Sequence, residues 1–197
     1  MTLAMIEGEA RWMLRRAGIE DDEPPPILEL ARRVVGLRVE QVPHRALPGD
    51  GQLATLHGER RIYVRTGLPP ARLRWAIAHE LGHLALSLDS GSPENEDLAN
   101  AFAAALLAPR RAYQLALNET GPSYTRLARW FITSESCAAL RFGEVTDTPL
   151  ALVAPTRVRV RGAEFCWPLE PTVARIPGVR RATLRDDKRR TAMRIGS

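Results

Sequence analysis

Lysine is almost absent from this chain: of its 28 basic residues only Lys188 is not an arginine. So strong a preference is a compositional habit rather than selection for a polyanion, and the net charge of +5 says correspondingly less about partners. Cysteine is scarce as well. Cys137 and Cys166 give neither the ligand spacing of a zinc ribbon nor a disulfide framework, so free thiols in a reducing cytoplasm are expected. No apolar run reaches membrane-spanning length, and Glu7 and Glu9 come too soon after Met1 for a secretory apolar segment. The expectation is a cytoplasmic protein with no membrane contact.

What the chain does have is the composition of an ordinary globular protein, 45% apolar and 26% charged over 197 residues. That length suits one domain, with or without an appendage, and can bury a real core. Charge is spread unevenly. From Leu150 onward 11 Arg and Lys face 4 Asp and Glu, a net of +7, which leaves −2 for the first 149 residues. A basic end of this kind can touch nucleic acid but is more often a solvated tail.

Apolar spacing predicts helices over residues 3–17 (Leu3, Ile6, Ala10, Met13, Leu14) and 27–35 (Leu28, Leu30, Ala31, Val34). The period then shortens to two. Strands are predicted at 37–42, 52–56 and 60–65, with a turn at Pro48-Gly49-Asp50-Gly51 and a hairpin connection at His57-Gly58-Glu59. Helices follow at 69–88, 94–108 and 110–118. Ser123 to Phe142 reads helix, turn, helix, the outline of either a DNA-binding unit or a plain packing hairpin, the second being favoured. Short strands are expected at 150–154, 157–161 and 164–167, and a loosely packed basic tail over 170–197. Four segments result: N-terminal helices (1–36), a core (37–120), a helix-turn-helix-like segment (121–148) and short strands with the tail (149–197).

The chemistry concentrates in Ala76-Ile77-Ala78-His79-Glu80-Leu81-Gly82-His83-Leu84. Residues four apart on a helix lie one above the other, so His79 and His83 can share one metal ion. Glu80, at the edge of that face, can take a proton from a metal-bound water without binding the metal. Two solvated histidines on a helix surface would carry the same letters. The apolar stripe of Leu73, Ile77, Leu84 and Leu88 and the breaks at Pro69-Pro70 and Asp89–Pro93 favour the metal site.

With the downstream stretch Glu96-Asp97-Leu98-Ala99-Asn100-Ala101-Phe102-Ala103-Ala104-Ala105-Leu106-Leu107-Ala108-Pro109, this motif resembles the ImmA/IrrE family of metallopeptidases. That family pairs a His-Glu-x-Gly-His helix with a Glu-x-x-Ala-Asn-x-Phe-Ala-x-x-Leu-Leu-x-Pro helix. Ala108 stands where the family usually has methionine. The resemblance implies an α+β fold: a zincin-like metallopeptidase core with a small antiparallel sheet packed on the motif helix, then the helix-turn-helix-like segment and short C-terminal strands. It implies a zinc (Zn2+) endopeptidase in which His79, His83 and Glu96 hold the metal and Glu80 activates water. It also implies an intracellular regulatory protease whose substrate is a helix-turn-helix transcriptional repressor. A competing reading is a DNA- or repressor-binding module, built on Tyr124 to Phe142 and the arginines after Arg157, with a structural or degenerate metal site.

Asp89 competes with Glu96 for the third ligand position, since it lies where some zincins place their last ligand. Those enzymes leave the helix at a glycine, whereas this chain has Leu86 there. A continued helix would carry Asp89 about nine Å beyond His83 at 1.5 Å per residue. Glu94 would point to another side of its helix. For the group that assists the oxyanion, Tyr63, Tyr113, His57 and Arg110 are unranked candidates, and the strand at 60–65 is a candidate for pairing with an extended substrate.

Overall fold

In the computed structural model of the chain, residues 1–56, 58–89 and 91–147 are described, apart from the Val35 side chain. After them the backbone of residues 150–154, 157–160, 182–187 and 190–195 is described. His57, Cys166 and the expected strand at 164–167 lie outside these residues.

Thr2 caps helix α1 (Leu3–Arg16) by accepting from the Met5 amide, and Ile6, Ala10, Met13 and Leu14 form its buried stripe. Helix α2 (Ile27–Val35) buries Ile27, Leu30 and Ala31 and leaves Leu28 exposed; Gly36, at φ 64°, ends it in the left-handed region that favours glycine. Strands β1 (Arg38–Val42), β2 (Gly51–Leu56) and β3 (Glu59–Arg65) form a sheet in the order β1-β3-β2. The sheet is mixed, not antiparallel throughout. β2 and β3 are an antiparallel hairpin, but β1 runs parallel to β3. The connection over 43–50 is long enough to skip one strand width, and β3 folds back into the slot left open. β3 is therefore central and paired on both sides, so it cannot take an added substrate strand.

Ile62 and Val64 of β3 turn their fully buried side chains towards helix α3 (Pro70–Ala85), and α3 packs on helix α4 (Pro93–Leu107). Together with α1 and α2 they enclose the main core. Among the described residues, no helix is long and apolar enough to cross a membrane.

Helices α5 (Arg110–Thr120), α6 (Tyr124–Phe131) and α7 (Glu135–Thr146) surround a second core containing Tyr113, Leu127, Phe131 and Phe142. The α6–α7 pair is thus a packing hairpin. Cys137, Ala138, Ala139, Arg141, Phe142, Gly143 and Val145 are buried on α7, and its single basic residue, Arg141, is 1% exposed. The rest of α7 is only partly exposed and offers no basic side chain to the phosphates flanking a DNA groove. Arg141 ties the two cores together: its Nε donates to the Ala108 carbonyl at 2.9 Å, and one terminal nitrogen donates to Glu7 at 2.6 Å and Glu144 at 2.9 Å. Arg110 donates to both oxygens of Glu7. Burial acts to raise the pKa of Glu7, but hydrogen bonds from Arg110 and Arg141 and their positive charge outweigh it and hold the carboxyl below its ordinary value.

The C-terminal sheet is antiparallel, with β4 (Leu150–Ala154), β5 (Arg157–Val160), β6 (Ala182–Asp187) and β7 (Arg190–Ile195) in the order β5-β4-β7-β6. β6 and β7 correct the expectation of a loose tail over their residues. Their hairpin satisfies backbone groups with a period of two, a pattern that arginine-rich composition hides.

Candidate metal centre

Pro70 begins α3 at its first turn, where the missing amide is not needed. The helix ends at Ala85, earlier than residue 88. The Leu88 amide reaches back to the His83 carbonyl at 2.8 Å and the Ser87 amide to Leu84 at 3.3 Å, with Ser87 at φ 51°. This is a Schellman stop with serine in the usual glycine position. The chain thus turns out of the helix without a glycine, and the premise that helix continuation removes Asp89 does not hold. Asp89 is nonetheless exposed, its backbone oxygen accepting from the Asn95 side chain at 2.9 Å.

Ser92 caps α4 by accepting from the Asn95 amide at 3.1 Å. α4 crosses α3 with almost no gap. A Cβ placed on Gly82 would lie 3.0 Å from the Ala99 carbonyl oxygen and 3.1 Å from Ala99 Cα. This approach sets the first turn of α4 over the two histidines. Glu96 Oε2 lies 3.1 Å from His79 Nε2, Glu96 Oε1 lies 3.3 Å from His83 Nε2, and the two Nε2 atoms are 3.1 Å apart. Among the described residues, this trio is the one group of three or more His, Cys, Asp or Glu side chains close enough to hold a metal ion. Glu94, two residues earlier, is exposed and not part of it.

The donor set fits a tetrahedral divalent ion. Nitrogen and oxygen ligands about 2.0–2.1 Å from a tetrahedral zinc lie roughly 3.3 Å from one another. Two unprotonated ring nitrogens facing each other at 3.1 Å repel unless a cation lies between them. Asn100, one turn beyond Glu96, places Oδ1 3.1 Å from His79 Nδ1. That oxygen can only accept, so it keeps the ring proton on Nδ1 and leaves the Nε2 lone pair for a metal. His83 is 5% exposed, and its Nδ1 has no hydrogen-bond partner among the described residues. The Gly91 amide donates to Glu96 Oε1 at 3.3 Å.

Glu80 is 8% exposed, and its Oε2 accepts from the Leu53 backbone amide on β2 at 2.7 Å. Three of the four candidate oxyanion donors sit elsewhere. Tyr63 alternates with the core-facing Ile62 and Val64 and so lies on the other face of the sheet. The Tyr113 hydroxyl donates to the Ala138 carbonyl in the second core, where burial pushes its pKa far up. Arg110 is engaged with Glu7. The fourth, His57, lies outside the described residues. The residues that sequence reasoning missed are Gly82, Asn100 in its orienting role and Leu53. Gly82 carried a signal as a small residue facing the alanine-rich helix, and Asn100 one in its spacing from Glu96, whereas Leu53 carried none.

A family model, the IrrE N-terminal-like domain, matches residues 32–142. A search of curated proteins found no match. Among solved structures the chain is similar to a Mycobacterium tuberculosis transcriptional regulator, at 21% identity and a TM-score of 0.59. The alignment covers 76% of this chain and 51% of that one, a likeness of fold in which the chain spans about half the regulator's length. The matched segment takes in the three-stranded sheet, the paired histidines, the helix that brings Glu96 to them and most of the α6–α7 hairpin, and on that span the chain belongs to the IrrE N-terminal-like domain family of metallopeptidases.

Proposed function

We propose that the chain is a zinc-dependent endopeptidase of the cell interior that cleaves a helix-turn-helix transcriptional repressor. The observation that carries the reading is the convergence of His79, His83 and Glu96 at 3.1–3.3 Å, with the buried carboxylate of Glu80 next to the first histidine. Zinc held by three protein side chains keeps a fourth position open and supplies Lewis acidity towards water and a peptide carbonyl. His79 and His83 would hold it from α3 and Glu96 from α4, with Asn100 fixing the His79 ring. Glu80 would take the proton of the attacking water on Oε1, the oxygen not engaged by Leu53, and pass it to the leaving amine. Because β3 is central, an extended substrate would pair instead with the free edge of β2, the strand that touches Glu80.

The competing reading, a DNA- or repressor-binding module, loses its main element through the burial of α7. Glu80 also weighs against a merely structural ion, which needs no carboxylate beside the first ligand.

Co-expression with candidate helix-turn-helix regulators from the same genome tests the proposal. A metal-dependent cleavage product is expected. Glu80→Gln should keep the fold and the zinc while losing about 10²–10⁴-fold in turnover, the usual range for general-base removal. No cleavage of any candidate regulator under zinc-replete conditions, or wild-type turnover by Glu80→Gln, would overturn it.

A further inference from the structure

The hydrogen-bond parity of the β2–β3 hairpin leaves one backbone amide with an unusual partner. The Arg65 amide donates to the Asp50 carbonyl at 2.9 Å, and the register pairs Gly51 with Val64. In an antiparallel ladder such bonded pairs alternate, so residues 52, 54 and 56 bond inward to β3 while residues 51, 53 and 55 point their backbone groups outward. β2 is an edge strand, and an outward amide on an edge normally meets water or another strand. The Leu53 amide instead meets the Glu80 carboxylate at 2.7 Å.

We infer that the backbone amide of Leu53, with the bare Cα of Gly51 two residues before it, is the positioning element for Glu80. The inference rests on the hydrolytic reading given above, in which Glu80 is the general base. A carboxylate that is 8% exposed needs a donor, and an N–H bonded to an ionised oxygen is among the stronger kinds of hydrogen bond. The terminal torsion of a glutamate is otherwise broad. Fixing Oε2 on the sheet therefore sets the direction of Oε1. Gly51 allows β2 to lie this close. A Cβ there would sit 3.2 Å from Ala76 Cβ, tighter than ordinary contact, and 3.5 Å from Glu80 Cγ. The base is thus aimed by two elements, its own helix and the edge of the sheet. A peptide laid along that edge can bond the Leu53 carbonyl but not its amide, so its pairing is interrupted beside Glu80.

Only the N–H of residue 53 matters in this arrangement, which makes it separable from the side chain. Amide hydrogen exchange followed by NMR reads the bond without any substrate. In Glu80→Ala the Leu53 amide should exchange at least ~10-fold faster, while the inward Gln52 and Ala54 amides keep their rates. Proline at an outward edge position removes a donor that the ladder does not use. Leu53→Pro should therefore keep its metal and the KM for the regulator cleaved in the co-expression assay but lose ~10- to 100-fold in kcat, the scale of a small misplacement of a catalytic group. Leu53→Ala, which retains the N–H, should turn over near the wild-type rate. Unchanged Leu53 exchange in Glu80→Ala, or wild-type kcat in a folded Leu53→Pro, overturns the inference. If Leu53→Pro does not fold, the exchange comparison decides. If the wild type cleaves no regulator, the function proposed above falls, and the exchange comparison still decides whether Leu53 holds Glu80.

Discussion

Replacing Gly82 by alanine tests whether the closeness of α3 and α4 is what assembles the metal centre. The added carbon would lie 3.0 Å from the Ala99 carbonyl oxygen, 3.1 Å from Ala99 Cα and 3.3 Å from Phe102 Cβ. Carbon atoms prefer separations of about 3.5–4.0 Å, so α4 has to retreat by roughly 0.5 Å. Two of the three neighbours are backbone atoms of the facing helix, which no side-chain rotation can move aside. Overpacking of this kind costs about 1–3 kcal/mol. Alanine returns up to about 1 kcal/mol as the better helix former, which with that full return leaves a net loss of up to about 2 kcal/mol. For a domain of this size each kcal/mol lowers Tm by about 2–4 °C.

The effect on the metal should exceed the effect on stability. Glu96 and Asn100 ride on α4, whereas His79 and His83 ride on α3. Ligand distances tolerate only about ±0.2 Å, and a retreat of roughly 0.5 Å goes beyond that. Zinc affinity, measured by competition with a chromophoric chelator, should fall ~10- to 100-fold, the range seen when groups behind the ligands are disturbed. Denaturation in the presence of EDTA isolates the packing cost from the lost metal. Gly8→Ala is the control: it lies within α1 with nothing within 4 Å of its added Cβ, and it should stabilise by about 0.5–1 kcal/mol. A Gly82→Ala protein with wild-type zinc affinity and stability would refute the reasoning.

Metal analysis should separate the competing carboxylates: Glu96→Ala and His83→Ala should lose zinc, while Asp89→Ala and Glu94→Ala keep about one ion per chain. Retention by Glu96→Ala with loss in Asp89→Ala would reverse the ligand assignment and leave the histidine pair standing. Glu7→Gln should cost about 1.5–3 kcal/mol at neutral pH in urea denaturation, the range for losing a charged hydrogen bond, because Arg141 keeps one carboxylate instead of two. The folded pKa of Glu7 lies below its unfolded value near 4.5, so this contribution is full above that pH and shrinks as pH falls through the depressed folded value; a difference that grows in acid would contradict the clamp. Ser87→Gly should stabilise by about 0.5–1 kcal/mol by relieving a left-handed serine, and a loss of stability would show that the serine side chain matters to the turn.

The two site helices were legible because their buried faces recur with the helical period. The α4 face of Ala99, Phe102, Ala103, Leu106 and Leu107 is buried as read, and so are Ile6, Ala10, Met13 and Leu14 on α1. What periodicity cannot carry is what two elements do to each other. The sheet order depends on how far the 43–50 connection reaches, and the early end of α3 depends on backbone bonds from Leu88 and Ser87 that no side chain announces. Asn100 could be placed on the face of Glu96 from its spacing, but its bond to His79 exists only because Gly82 lets the helices meet. Leu53 was the least visible of all. Its contribution is an amide that every residue except proline possesses, and nothing in its side chain marks it.

The scarcity of lysine has a structural side that composition did not show. Arg141 contacts the Ala108 carbonyl, Glu7 and Glu144 from one guanidinium, which brings together α1, the end of α4 and α7. Arg110 grips both oxygens of Glu7 and two carbonyls at the end of α7. Arg61 bridges Glu40 and Glu59 on neighbouring strands, and Arg65 joins the Leu47 carbonyl to the ring of His44. An ammonium group, a compact charge on a flexible stem, cannot hold several acceptors in one plane. Arginines used in this way are neutralised from within, in a segment whose charges sum to −2, and they give a polyanion little to bind. The positive excess belongs to the residues after 149. Any affinity for nucleic acid should therefore disappear when those residues are removed, and before that it should weaken steeply with salt and ignore sequence, as binding to phosphates alone does.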